Sequence, residues 1–166
     1  MSELLREEVL DVEVAFRGFG FQESDDNVVP VPVGDNLEWG VFLQEHERRF
    51  DLFSAGHTHT AGVKVRVWAS EPPVAEGPWD EQGEVDFETT TGDIAVWTMT
   101  LGRSDHLIRL GSPGWWRVRV CCTGRDEVAR VTQTQGVAYG VEKYVIDFWP
   151  KAWRVAGARR AGHTPR

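Results

Sequence analysis

Residues 114–126 read Gly-Trp-Trp-Arg-Val-Arg-Val-Cys-Cys-Thr-Gly-Arg-Asp. Successive side chains of an extended segment point to opposite faces, so Trp116, Val118, Val120 and Cys122 share one face and Trp115, Arg117, Arg119 and Cys121 the other. The first set is a core face. The second is an outer face in which cations alternate with an aromatic residue.

The same two-residue rhythm recurs along the 166-residue chain. It predicts strands over residues 10–16, 37–43, 48–53, 63–69, 84–90, 93–101, 106–110, 115–122 and 142–149, separated by stretches rich in Gly, Pro, Ser and Asp. The "RGFGF" run at 17–21 reads as a strand end, and "TTGD" at 90–93 is the best hairpin candidate. Residues 71–78 form the longest loop. No segment carries a sustained 3.6-residue period, although residues 2–8, with Ser2 as cap, read as one short helical turn. Many short strands punctuated by turns predict an all-β chain, an antiparallel β-sandwich of about eight or nine strands. The length suits one domain, expected over 1–150.

Charge divides the chain unevenly. All 26 acidic residues precede Lys151, so residues 1–150 carry −13 and residues 151–166 carry +5. The composition of 151–166 predicts a basic, flexible C-terminal tail. An acidic body argues against nucleic acid as its partner, since phosphate binding draws on clustered Lys and Arg. Cys121 and Cys122 are the only cysteines, and adjacent strand residues cannot form an ordinary disulfide or share a metal. Free thiols suit a reducing compartment, and neither a signal peptide nor a run of about 20 apolar residues is visible. A cytoplasmic protein with no membrane partner is the expectation.

Two stretches attract functional readings. If residues 63–69 and 115–122 share a sheet, Lys64, Arg66, Trp68, Trp115, Arg117 and Arg119 make one face of cations and tryptophans, the residue types that anchor partners. Such a face also suits self-association as a homodimer. The alternative is a solvated face on which these cations meet Glu84, Asp86 and Glu88 in cross-strand ion pairs. The second stretch is "GHTHTAG": His57 and His59, two apart on an extended chain, would point the same way, a spacing used for Zn or Fe. It resembles the start of a cupin metal site, but the following "AGVKVRV" lacks the expected Glu, and further ligands such as His46 and His106 would have to be brought in by folding. No bound metal or cofactor is therefore expected.

No hydrolase elbow, Walker loop or dinucleotide fingerprint is present. A non-enzymatic chain is expected.

At the C-terminal end, "GWWRVRVCCTGRD" followed by "EKYVIDFWP" resembles a pattern of small, largely uncharacterised bacterial β-sandwich proteins. More remotely, the order of elements is similar to the competence protein J family of nuclease inhibitors, the nearest local match being Tyr144-Val145-Ile146-Asp147. The resemblance implies an acidic protein that binds a basic partner such as a nuclease, in an inhibitor or immunity-like role. It carries no contact residue over. The alternative class is a small-molecule or metal-binding sandwich using His57 and His59.

Overall fold

The computed structural model describes residues 2–30 and 40–152. Its elements in chain order are β1 (Leu4–Val14), β2 (Gly18–Glu23), β3 (Leu43–His46), β4 (Arg49–Phe53), β5 (His59–Trp68), β6 (Glu81–Thr89), β7 (Asp93–Thr98), β8 (Gly102–Arg103), β9 (Ile108–Arg109), β10 (Gly114–Thr123), α1 (Arg125–Thr134) and β11 (Tyr139–Pro150). One sheet has the order β1-β5-β11-β10-β6, and the second β3-β4-β2-β7-β8, with β9 also on β7.

The sheets pack face to face because each offers a largely apolar inner face. Val63, Val65 and Val67 of β5, Trp116, Val118, Val120 and Cys122 of β10, and Tyr144, Ile146 and Phe148 of β11 meet Phe19, Phe21, Phe50, Leu52 and Ile94 of the second sheet. Phe21 stacks on Phe50 at 5.2 Å, and Phe50 meets Phe87 edge-on at 5.7 Å. Each buried aromatic removes roughly 150–250 Å² from water, which makes these rings the main source of cohesion.

The all-β sandwich matches expectation; several local readings need correction. Residues 2–8 are not helical: β1 runs from Leu4, and a register shift between Leu4 and Arg6 breaks the alternation that would have marked the strand. "RGFGF" leads into a full central strand, β2, flanked by β4 and β7. The strand expected at 37–43 begins only at Leu43, residues 37–39 lying outside those described. "TTGD" is not a hairpin, because β6 lies in the first sheet and β7 in the second. The sandwich is also not wholly antiparallel, since β11 pairs with β5 in parallel.

Helix α1 is the element that periodicity misses. It buries only Val128 and Val131, against Ala138, Ala55 and Val141, a small satellite of the main core. Gly124 begins it at φ +81°, where a Cβ would lie 2.1 Å from the Val141 carbonyl oxygen.

Candidate functional site

The outer face of the first sheet gathers all six residues singled out for partner binding, because β5 and β10 flank β11. Asp147 of β11 stands between them and is buried. It accepts from Arg66 Nε at 2.7 Å, Arg66 Nη2 at 3.1 Å and Trp68 Nε1 at 2.8 Å. On the other flank β6 sets Glu84 opposite Arg119, Asp86 opposite Arg117 and Glu88 opposite Trp115.

These registers produce ion pairs. Arg117 Nη1 donates to Asp86 at 2.9 Å, and Arg119 Nε donates to Glu84 at 3.1 Å. Arg119 also donates to the Pro73 carbonyl at 3.1 Å and lies 5.0 Å from the Trp149 ring centroid. Lys151 Nζ reaches Asp86 at 2.6 Å. Burial would raise the Asp86 pKa, but the hydrogen bonds and charges of Lys151 and Arg117 outweigh it and hold the carboxyl below its usual range.

The face is therefore a neutralised network at its centre. Arg119 is only 7% exposed, Arg66 and Trp68 are half-buried, and the side chains that reach solvent most are Lys64 and Trp115.

The His-x-His stretch does not form a shared site. His57 is exposed and packs edge-on against Phe16 at 5.3 Å, whereas His59 is buried at the start of β5. The chain is still turning at 57–58, so the extended geometry that would align the two rings is absent. Among the described residues no three His, Cys, Asp or Glu side chains are grouped to hold a metal.

His59 belongs instead to a buried cluster that sequence reasoning missed. Ser54 Oγ donates to Glu142 Oε1 at 2.7 Å and lies 2.7 Å from His59 Nε2, while Gly56 N–H donates to Ser54 Oγ at 3.0 Å. Tyr144 O–H and Ala55 N–H also donate to Glu142, at 2.6 and 3.0 Å. With its proton committed to Glu142, Ser54 must accept from His59, so His59 carries hydrogen on Nε2, and its Nδ1 is buried with no hydrogen-bond partner among the described residues. Burial lowers the His59 pKa more than Glu142 raises it, which keeps the ring neutral.

A hydrolase triad needs the acid on the far nitrogen of the histidine and an accessible hydroxyl. Here Glu142 binds the serine, and Ser54 is fully buried. The cluster therefore fastens β4, β5 and β11 together. Arg125 of α1, 3.7 Å from Glu142, joins the helix to it.

At the margin of that outer face β1 is the outermost strand, and its exposed positions include Glu7, opposite Arg66, and Asp11 and Glu13. Among the described residues none of these three has a salt-bridge partner within 4 Å; Asp11 accepts the Tyr139 hydroxyl.

No protein-family model matches the chain, and neither does any curated protein. Two solved structures share its fold. The crystal structure of ComJ from Bacillus subtilis, described as an inhibitor of the DNA-degrading activity of NucA, is similar with a TM-score of 0.62 and 13% identity, over 91% of this chain and 99% of that one. The product of "crocagin biosynthetic gene J" is similar with a TM-score of 0.56 and 17% identity, over 89% of this chain and 99% of that one. The sandwich is thus the fold of a nuclease inhibitor and of a protein from a biosynthetic gene set, and the remote likeness read from the C-terminal strands extends over most of the chain.

Proposed function

We propose that the chain is a non-enzymatic protein-binding module that inhibits a basic partner such as a nuclease. The observation that carries this reading is the row of exposed acids along β1, Glu7, Asp11 and Glu13, none of them in an ion pair among the described residues, within a body of net charge −13. Uncompensated surface charge steers an oppositely charged protein and raises its association rate. The fold shared with ComJ supports the same direction, and the buried wiring of Ser54, His59 and Glu142 offers no accessible nucleophile.

The face bearing Lys64, Arg66, Trp68, Trp115, Arg117 and Arg119 enters this proposal in a reduced form. Lys64 and Trp115 are its accessible contacts, with the three arginines and Trp68 holding the sheet's outer surface in shape.

The test is an inhibition assay. Full-length protein is added to plasmid DNA with a panel of basic nucleases, including any encoded beside this chain. Stoichiometric loss of DNA degradation with one of them is expected. Unimpaired cleavage across the panel at excess protein would remove the inhibitor reading.

A further inference from the structure

Among the described residues no strand pairs with the outer edge of β1, and the sandwich is open alongside it. A groove of about 620 Å³ runs between β1 and the β7–β8 turn. Its floor is apolar, formed by Leu10 and Val12 of β1, Val96 of β7, and Leu101, which is 72% exposed. Its rim is acidic, carrying Asp11, Glu13 and Asp105. The two basic side chains that line it are already engaged, Arg103 with Asp26 at 3.2 Å and His106 with Glu8.

An outermost strand presents a row of unpaired backbone groups that can accept another strand. We propose that β1 and this groove bind a basic, extended segment of a partner protein as an added strand. In that pose alternate side chains of the segment would enter the apolar groove, and the intervening ones would meet Asp11 and Glu13. Alternating apolar and basic residues are the chemistry that fits. This inference rests on the protein-binding reading above and assigns it a place.

Charge argues against a second copy as the occupant. Antiparallel pairing of two β1 strands about Val9 would set Glu7 against Asp11, and about Leu10 it would set Glu7 against Glu13. Like charges directly opposite destabilise a strand pair. The same acids favour a lysine- or arginine-bearing strand.

The experiment uses the full chain and a soluble seven-residue peptide, Lys-Val-Lys-Val-Lys-Val-Lys, blocked at both ends. Two further versions are N-methylated, one on every lysine and one on every valine. A strand paired along one edge directs only alternate amides at its neighbour, so one methylated version should lose at least tenfold in affinity and the other should bind nearly as well as the parent. Hydrogen exchange should slow in β1 on peptide binding, and Glu13→Lys/Asp105→Lys should weaken binding at least tenfold without changing the circular dichroism spectrum.

Equal binding of both methylated peptides would reduce the contact to diffuse charge attraction and overturn the proposal. So would a dimer seen by sedimentation with β1 already protected, or β1 protection that Arg159→Ala/Arg160→Ala abolishes, which would give the edge to the chain's own basic segment. Inhibition of a nuclease by the Glu13→Lys/Asp105→Lys protein as strong as by wild type would leave the protein-binding reading standing and sink this site.

Discussion

Trp115 and Trp116 are neighbours in sequence and face opposite sides of β10: Trp115 is 37% exposed over the outer face, and Trp116 is 3% exposed within the core. Trp116 also donates from Nε1 to the Ser112 carbonyl at 3.1 Å. Trp116→Ala should therefore cost about 3–5 kcal/mol, as large aromatic truncations do. Trp115→Ala should cost under about 1 kcal/mol. Urea denaturation of both variants checks this; equal losses would mean that the outer face is buried as deeply as the core.

Glu23 predicts how the fold responds to acid. Burial alone would raise its pKa, but donors from Thr89, Asp25 and Thr91 bring it down to about 2. Its Oε1 accepts the Thr89 hydroxyl at 2.6 Å and the Thr90 and Thr91 amides at 2.9 and 2.8 Å, which pins the turn where the chain passes from one sheet to the other. A carboxyl depressed in the folded state stabilises above its unfolded pKa, near 4.5, and that contribution is lost as pH falls toward about 2. Its full size is about 3 kcal/mol, or ~2 after solvent screening. Glu23→Gln should lower stability at pH 7 and flatten its dependence between about pH 5 and 2, read by denaturant midpoints across that range. An unchanged slope would contradict this role.

His59 adds an acid sensitivity at higher pH. Its folded pKa lies below 6.5 because of burial, so its contribution is present above about 6.5 and declines as pH falls below it. His59→Gln should remove the part of the slope that begins as pH falls below about 6.5. Retention of that slope would assign it to another group.

Both thiols should be inert in the folded protein. Burial and the charge of Glu142 push Cys122 up to about 12, and burial also raises Cys121. The thiolate is the reactive form, so a thiol reagent at pH 8 should titrate neither group in buffer and both in denaturant. Rapid reaction in buffer would show that β10 is more accessible than the packing indicates.

The metal expectation can be checked separately. Purified protein should carry no stoichiometric Zn, Fe or Ni, and full occupancy by elemental analysis, lost in His57→Ala/His59→Ala, would revive the metal-binding class.

Much of the sandwich was legible because most strands have one apolar face. The alternation in 115–122 places Trp116, Val118, Val120 and Cys122 in the core, and Glu84 and Asp86 of β6 do pair with Arg119 and Arg117, whereas Glu88 lies opposite Trp115 and pairs with Arg48 instead. Other features hide from that reading for identifiable reasons. Only Val128 and Val131 mark α1, too few to display a helical period. Ser54, Glu142 and Glu23 are buried polar groups, and only their phase with neighbouring core residues points to them: Glu142 with Tyr144, Ile146 and Phe148, and Glu23 with Phe19 and Phe21. The sheet switch at 89–93 depends on Glu23, 66 to 68 residues away, so local turn chemistry alone suggests a hairpin.

The most direct test of the central claim is a calorimetric titration of the full chain against a basic nuclease that it inhibits, repeated at low and at high salt. A one-to-one complex that weakens as salt rises is predicted, because exposed acids attract a basic surface through charges that salt screens. Weakening should be smaller for Glu7→Gln/Asp11→Asn/Glu13→Gln. An affinity independent of salt and unchanged in that triple variant would contradict the account.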